Sequence, residues 1–206
     1  MPRISAATIG EHRAQTQEKI LEAIARLARR QGIDAISMTE LAAEAGITRT
    51  VLYNYFPDKT ALLLAFTERV THYFVESYAR DLPADASPSV RLRAFVRLQL
   101  TGLVAHPHPG AADLSATLGP DAYQRLAAHV APMQAILREI IQTGVDSGEF
   151  RVSDVEAAAR AVLAVLGSER IPLTEGGRTL EEAEEFVSAF CLRALGDAGA
   201  GAAAHS

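Results

Sequence analysis

A single cysteine, Cys191, is the only thiol in the 206 residues. It excludes an internal disulfide framework and a cysteine-built zinc site, and it is expected to sit in the core as a small hydrophobe. No apolar run approaches the roughly eighteen residues that a membrane-crossing helix needs; dense stretches such as "ALLLAF", residues 61–66, are far shorter. The first ten residues lack the basic patch and apolar core of a signal peptide, so a cytoplasmic location is expected. No Ser/His/Asp set, glycine-rich phosphate loop, paired-carboxylate constellation or HExxH pattern is present. That points away from an enzyme, and no cofactor is expected. The two histidines of "HPHP", residues 106–109, have no cysteine or carboxylate at ligand spacing, so no metal is expected either. Alternating, β-branched strand character is also missing.

What is there is enough apolar residue to build a core. Apolar residues make up 49% and charged residues 22% of the chain, the balance of an ordinary globular protein of one large or two small domains. The formal net charge of −5 argues against blanket attraction to nucleic acid. That charge is unevenly spread. Residues 1–60 hold eight Lys/Arg against seven Asp/Glu, whereas residues 61–206 hold twelve against eighteen. A mildly basic front and an acidic back suggest two jobs.

Apolar residues recur at three- and four-residue spacing, which predicts an all-α chain of about nine helices. Ile20, Leu21, Ile24, Leu27 and Ala28 form one stripe on a helix from about Arg13 to Gln31, and Gly32 ends it. "SMTE" reads as a capping box in which Ser37 and Glu40 open a short helix, Met38 to Ala45. Gly46 terminates that helix, and Thr48 caps the next, which reaches Phe56 before Pro57 stops it. Two short helices around a glycine turn make a helix-turn-helix. Asp58 is placed to cap a fourth helix running to about Arg80. Further helices are expected at 88–105, 110–117, 120–146 with a kink at Pro132, 153–168 with Ser153 as its cap, and 178–195. "IPLTEGGRT" reads as a connector. The tail, residues 197–206, cannot bury enough surface to order itself.

The thirteen residues "ITRTVLYNYFPDK", 47–59, place three aromatic rings beside an arginine and a lysine. On a helix they divide. Leu52 and Phe56, four apart, are expected to face Leu41 and Ile24, while Thr50, Tyr53 and Asn54 point away, with Thr48 and Arg49 at the N-terminal end and Tyr55 at the flank. The outward side offers hydroxyls, an amide, a guanidinium and ring faces, without an acid. Such a helix suits the major groove, about 12 Å wide; nine residues span roughly 13 Å. The amides at its start present a positive dipole to phosphate, and Lys59 is placed to reach the flanking backbone.

"TRTVLYNYFPDKTALLLAF", preceded by "SMTELAAEAGI" and a helix ending "RRQGIDA", resembles the DNA-binding region of the TetR family of bacterial repressors over about residues 14–74. The resemblance implies an N-terminal three-helix bundle with a helix-turn-helix, and a C-terminal helical domain, residues 75–196, that dimerises and holds a small-molecule effector. It puts Ser37, Thr39, Thr48, Arg49, Thr50, Val51, Tyr53, Asn54, Tyr55 and Lys59 in the DNA-facing positions. Two departures stand out. Thr50 and Val51 replace a small-residue-plus-threonine pair, so Val51 is free to touch a thymine methyl, and Thr39 stands where a basic residue is common. Arg49 is the expected base reader, as a bidentate donor to guanine; Tyr53, Tyr55 and Lys59 are expected to fix position on the backbone.

The function this implies is a homodimeric regulator, a repressor by preference, that binds a palindromic double-stranded operator and is released by an effector of unknown identity. The last two long helices, rich in Ala157, Ala158, Ala161, Ala164 and in Ala183, Phe186, Phe190, are the expected dimer interface. Phe66, Tyr73, Phe74, Tyr78, Phe95, Tyr123, His129 and Met133, with His72 and His106 nearby in sequence, are candidates to line the effector pocket. The competing reading is a ligand-binding helical protein or adaptor that does not bind DNA.

Overall fold

The structure is a computed structural model that describes residues 6–33, 35–106 and 120–196. Among the described residues every regular element is a helix. They are α1 (Ala6–Gln31), α2 (Met38–Glu44), α3 (Arg49–Tyr55), α4 (Lys59–Asp81), α5 (Pro88–Ala105), α6 (Pro120–Asp146), α7 (Val155–Ser168), α8 (Arg170–Thr174) and α9 (Leu180–Leu195). None of these is long and apolar enough to cross a membrane. The expected helix at 110–117 and the tail at 197–206 lie outside the described residues. The chain forms two compact units, one of Met1–Arg69 with Pro107–Leu126 and one of Val70–His106 with Ala127–Ser206.

In the first unit the stripe of Ile20, Leu21, Ile24, Leu27 and Ala28 is buried, as are Leu41, Ala42, Leu52, Phe56, Leu62, Leu63 and Phe66. α2 packs on both α1 and α3. Two polar ties fix this bundle from outside. Glu44 on α2 accepts from Arg26 Nε at 2.8 Å and from Arg30 Nη2 at 2.6 Å, both on α1. Arg69 on α4 donates to Glu18 and, at 2.8 Å, to the Leu21 carbonyl. The turn between α2 and α3 needs Gly46, whose φ of 66° lies in the left-handed region, where a Cβ is strained.

The caps follow residue chemistry. Ser37 and Glu40 form the full capping box, Thr48 Oγ1 accepts from the Val51 amide, and Asp58 accepts from the Ala61 amide at 2.7 Å. Thr179 and Glu182 make a second capping box on α9. At α7 the expected cap is corrected by one residue: the Asp154 carboxylate, not Ser153, accepts from the Ala157 amide. Both side chains are cap-competent, and the charged acceptor makes the stronger bond to an amide. α1 starts at Ala6 rather than near Arg13, since its first seven residues carry no apolar stripe that would mark them as helix. The connector "IPLTEGGRT" supplies all but the first residue of α8, which tolerates Pro172 near its start. Pro132 lies inside α6 without dividing it.

In the second unit α9 packs on α5 and on α7. Its core holds Leu92, Phe95, Val96 and Leu100 of α5, Leu137, Ile140 and Ile141 of α6, Val162 and Leu166 of α7, and Ala183, Val187, Cys191 and Leu192 of α9. α4 and α5 touch so closely that a Cβ on Gly102 would fall on the Phe74 ring. Burial raises the Cys191 thiol to about 11, which keeps it protonated and unreactive at neutral pH. Glu169 is buried and accepts from Arg178 Nη1 through both oxygens at 2.9 and 2.8 Å, a charged partner that a desolvated carboxylate needs.

Candidate nucleic-acid interface

α3 is a seven-residue helix pinned from one side. Leu52 is fully buried and Phe56, its C-cap, nearly so, while Arg49, Thr50, Tyr53 and Asn54 are exposed and Val51 and Tyr55 half-buried. The helix contains no acidic residue. Spacing dictates this division: residues four apart share a face, and the intervening positions turn outward. Phe56 belongs to the cap rather than to the helix expected to include it, since Pro57 follows.

Two arginines are held against rings of this helix. The Arg49 guanidinium lies 5.8 Å from the centroid of Tyr53, one turn along, and the Arg13 guanidinium of α1 lies 5.2 Å from the centroid of Tyr55. Each such contact contributes about 0.5–1 kcal/mol at an exposed site. The stacking limits the rotamers of two long side chains before any ligand arrives, which lowers the ordering cost of a later contact.

The neighbouring acids are engaged locally. Glu40, held below the usual carboxylate range chiefly by the Ser37 amide, closes the α2 cap, and Glu44 is held below it first by Arg26 and then by Arg30. The Ser37 hydroxyl also donates to Glu40 Oε2 at 2.8 Å, so that hydroxyl is occupied in the cap. Thr39 is exposed and Lys59 half-buried in the first turn of α4. The structure therefore brings Thr48, Arg49, Thr50, Val51, Tyr53, Asn54 and Tyr55 onto one short element, with Ser37 and Thr39 at the start of its neighbour. Arg13 escaped the sequence reading; its partner is remote in the chain, and only its charge on an amphipathic helix marked it.

The candidate pocket residues divide differently. Phe66 is a core side chain of the first unit. In the second unit Tyr73 meets Phe74 edge-on at 5.7 Å and His106 at 4.1 Å. Phe74 stacks near Tyr78 at 6.1 Å, and Tyr78 on Phe95 at 4.9 Å. The Tyr78 hydroxyl is buried with no hydrogen-bond partner among the described residues, and burial raises its pKa well above the ordinary phenol value. Gln99 Oε1 is a second orphan. Met133 is half-buried on α6; the side chains of Tyr123 and His129 lie outside the described residues. A cavity of about 460 Å³ lies elsewhere, against Ala157, Ala161, Val165 and Phe190 of α7 and α9, on the helices expected to dimerise. Among the described residues no group of His, Cys, Asp and Glu could hold a metal ion; residues 107–109 of the "HPHP" stretch lie outside them.

Comparison with known proteins places these features. Residues 20–66 match the family described as bacterial regulatory proteins, tetR family, and residues 88–174 match the tetracyclin repressor-like C-terminal domain. An uncharacterised HTH-type transcriptional regulator of Mycobacterium tuberculosis is 29% identical over 119 residues, covering 53% of this chain and 49% of its own length. The chain thus spans about half the length of the curated relatives it first matches. The TetR-family regulator PfmR from Thermus thermophilus is 27% identical, covering 87% of this chain and 98% of its own, with a TM-score of 0.68. FadR from Bacillus subtilis, solved with stearoyl-CoA, shares the fold at 17% identity and a TM-score of 0.68, covering 86% of this chain and 96% of its own. With one match on the helix-turn-helix and the other on the helical region behind it, the chain belongs to the TetR family of bacterial transcriptional regulators.

Proposed function

We propose that the protein is a repressor that binds a palindromic operator as a homodimer, with residues 14–74 reading DNA and residues 75–196 dimerising and holding an effector. One observation carries this reading: α3 buries Leu52 completely while it exposes Arg49, Thr50, Tyr53 and Asn54, without an acidic residue. Arg49 is the base reader, since a guanidinium matches the two acceptors of a guanine edge. Lys59, Tyr53 and Tyr55 hold the helix in register on the phosphates. One such helix reads few base pairs, and a two-fold dimer doubles the contacts on a palindrome.

Phe186 and Phe190 of α9 are 46% and 48% exposed and stack at 6.0 Å, beside the small residues of α7. Large rings left half in water on a small-residue surface support that surface as the dimer seam. The orphan Tyr78 hydroxyl, beside stacked rings, and the orphan Gln99 oxygen of α5 support an amphipathic effector with at least one group that hydrogen-bonds. The stearoyl-CoA of FadR has both characters. Release is a population shift: effector and operator favour different conformers, so each weakens the other's binding by the same factor. Selection of bound fragments from a random duplex library tests the reading. A two-fold symmetric motif with salt-dependent affinity is expected; a library that emerges unenriched would leave the carrier reading instead.

A further inference from the structure

Arg13 lies outside the helix-turn-helix, on the polar first turns of α1, where Gly10–Gln15 are exposed. Nothing in the core requires it there. Its guanidinium nonetheless rests 5.2 Å from the centroid of Tyr55, the last residue of α3. Of the acids on its own helix, Glu18 pairs with Arg69 and Glu22 with Arg26, and Glu11, two residues away, points to a different side of the helix. Across α3 the other stacked arginine, Arg49, stands at the first helical residue. Two guanidinium groups thus stack on rings of α3, Arg49 on Tyr53 and Arg13 on Tyr55 at its C-terminal end.

We propose that Arg13 is a DNA-backbone contact, held by Tyr55 at the C-terminal end of α3 to bind a phosphate beside the groove that α3 enters. The inference rests on the reading of α3 as the DNA-reading helix. It gives Tyr55 a second task, as the platform that aims a cation from another helix. It also gives the polar start of α1 a purpose beyond carrying the core stripe. A phosphate contact carries no sequence information, so its signature is electrostatic.

The test uses the full-length protein and the duplex its own library selection yields. Affinity is measured for wild type, Arg13→Ala and Arg13→Lys over salt concentrations from about 50 to about 200 mM. Each phosphate neutralised adds about 0.9 to the slope of log affinity against log salt. In a two-fold dimer Arg13→Ala is therefore expected to reduce that slope by about 1.8, one phosphate in each half-site. It should weaken the selected duplex and its single-base variants by the same factor, and Arg13→Lys should restore most of the slope. A melting curve checks that Arg13→Ala stays folded, and Arg13→Gln, which removes the charge but keeps a polar side chain, carries the test if it does not. An unchanged slope, or a loss confined to one base variant, overturns the proposal. If wild type itself shows no sequence preference, the reading of α3 fails first and this inference falls with it.

Discussion

Arg49 and Tyr78 represent two residue-scale problems, one of readout and one of satisfaction. A bidentate arginine–guanine pair discriminates by about 1–3 kcal/mol, so Arg49→Ala should flatten preference at one base pair in each half-site. Lys59→Ala should weaken all duplexes alike. Competition binding against single-base variants separates the two, and a selective loss from Lys59→Ala would contradict its assignment to the backbone. The buried Tyr78 hydroxyl has no partner among the described residues, an arrangement that costs about 1–3 kcal/mol. Tyr78→Phe is accordingly expected to raise the melting temperature by a few degrees, since about 1 kcal/mol moves it by about 2–4 °C in a chain of this size. A lowered temperature would mean that the hydroxyl does structural duty. Gly102→Ala should act the other way, because its methyl would strike Phe74 and overpacking costs about 1–3 kcal/mol. The outward residues of α3 were legible in the sequence because helical spacing alone decides which side Leu52 and Phe56 take. Arg13 on Tyr55 was not, since no local pattern reports a contact between remote turns.

Elements were legible where their ends carry chemistry at fixed offsets. Ser37 with Glu40, Thr48, and Asp58 are acceptors placed three residues before the amides they satisfy, so three starts could be read directly. Thr179 with Glu182 obeys the same rule but sits behind a glycine-rich connector that drew the boundary elsewhere. The start of α1 was invisible because Glu11, Arg13, Gln15 and Gln17 favour helix without facing a core. What holds α2 to α1 was equally hidden: the two arginines and Glu44 come from separate helices. Glu44 is held below its ordinary value of 4.5, first by Arg26 and then by Arg30. A depressed carboxylate stabilises above its unfolded pKa and loses that contribution as pH falls through the lower folded value. Glu44→Gln should therefore melt below wild type at pH 7, and the two should converge as pH falls from 4.5 through the lower folded value. A gap that persists in acid would place the glutamate's role in packing instead of charge.

For the whole molecule, one family match falls on the helix-turn-helix and the other on the helical region behind it, and the proposed division of labour follows them. A helix-turn-helix precedes a helical domain whose α9 leaves two stacked phenylalanines half in water. If those rings lie in the dimer seam, paired Phe186→Glu and Phe190→Glu substitutions should give a monomer in sedimentation and abolish operator binding at concentrations that saturate wild type. A dimer that survives both would move the seam elsewhere. The aromatic cluster of the second unit was readable as a set of residue types but not in its packing. Stacking among Phe74, Tyr78 and Phe95 depends on how α4 and α5 approach at Gly102, which no local spacing specifies. The most direct test of the central claim, that α3 reads DNA, is to repeat the random-duplex selection with Arg49→Ala beside wild type. The account predicts the same half-site spacing in both motifs, with one guanine position per half-site losing its preference in the variant. Identical motifs from the two proteins, or none from either, would contradict it.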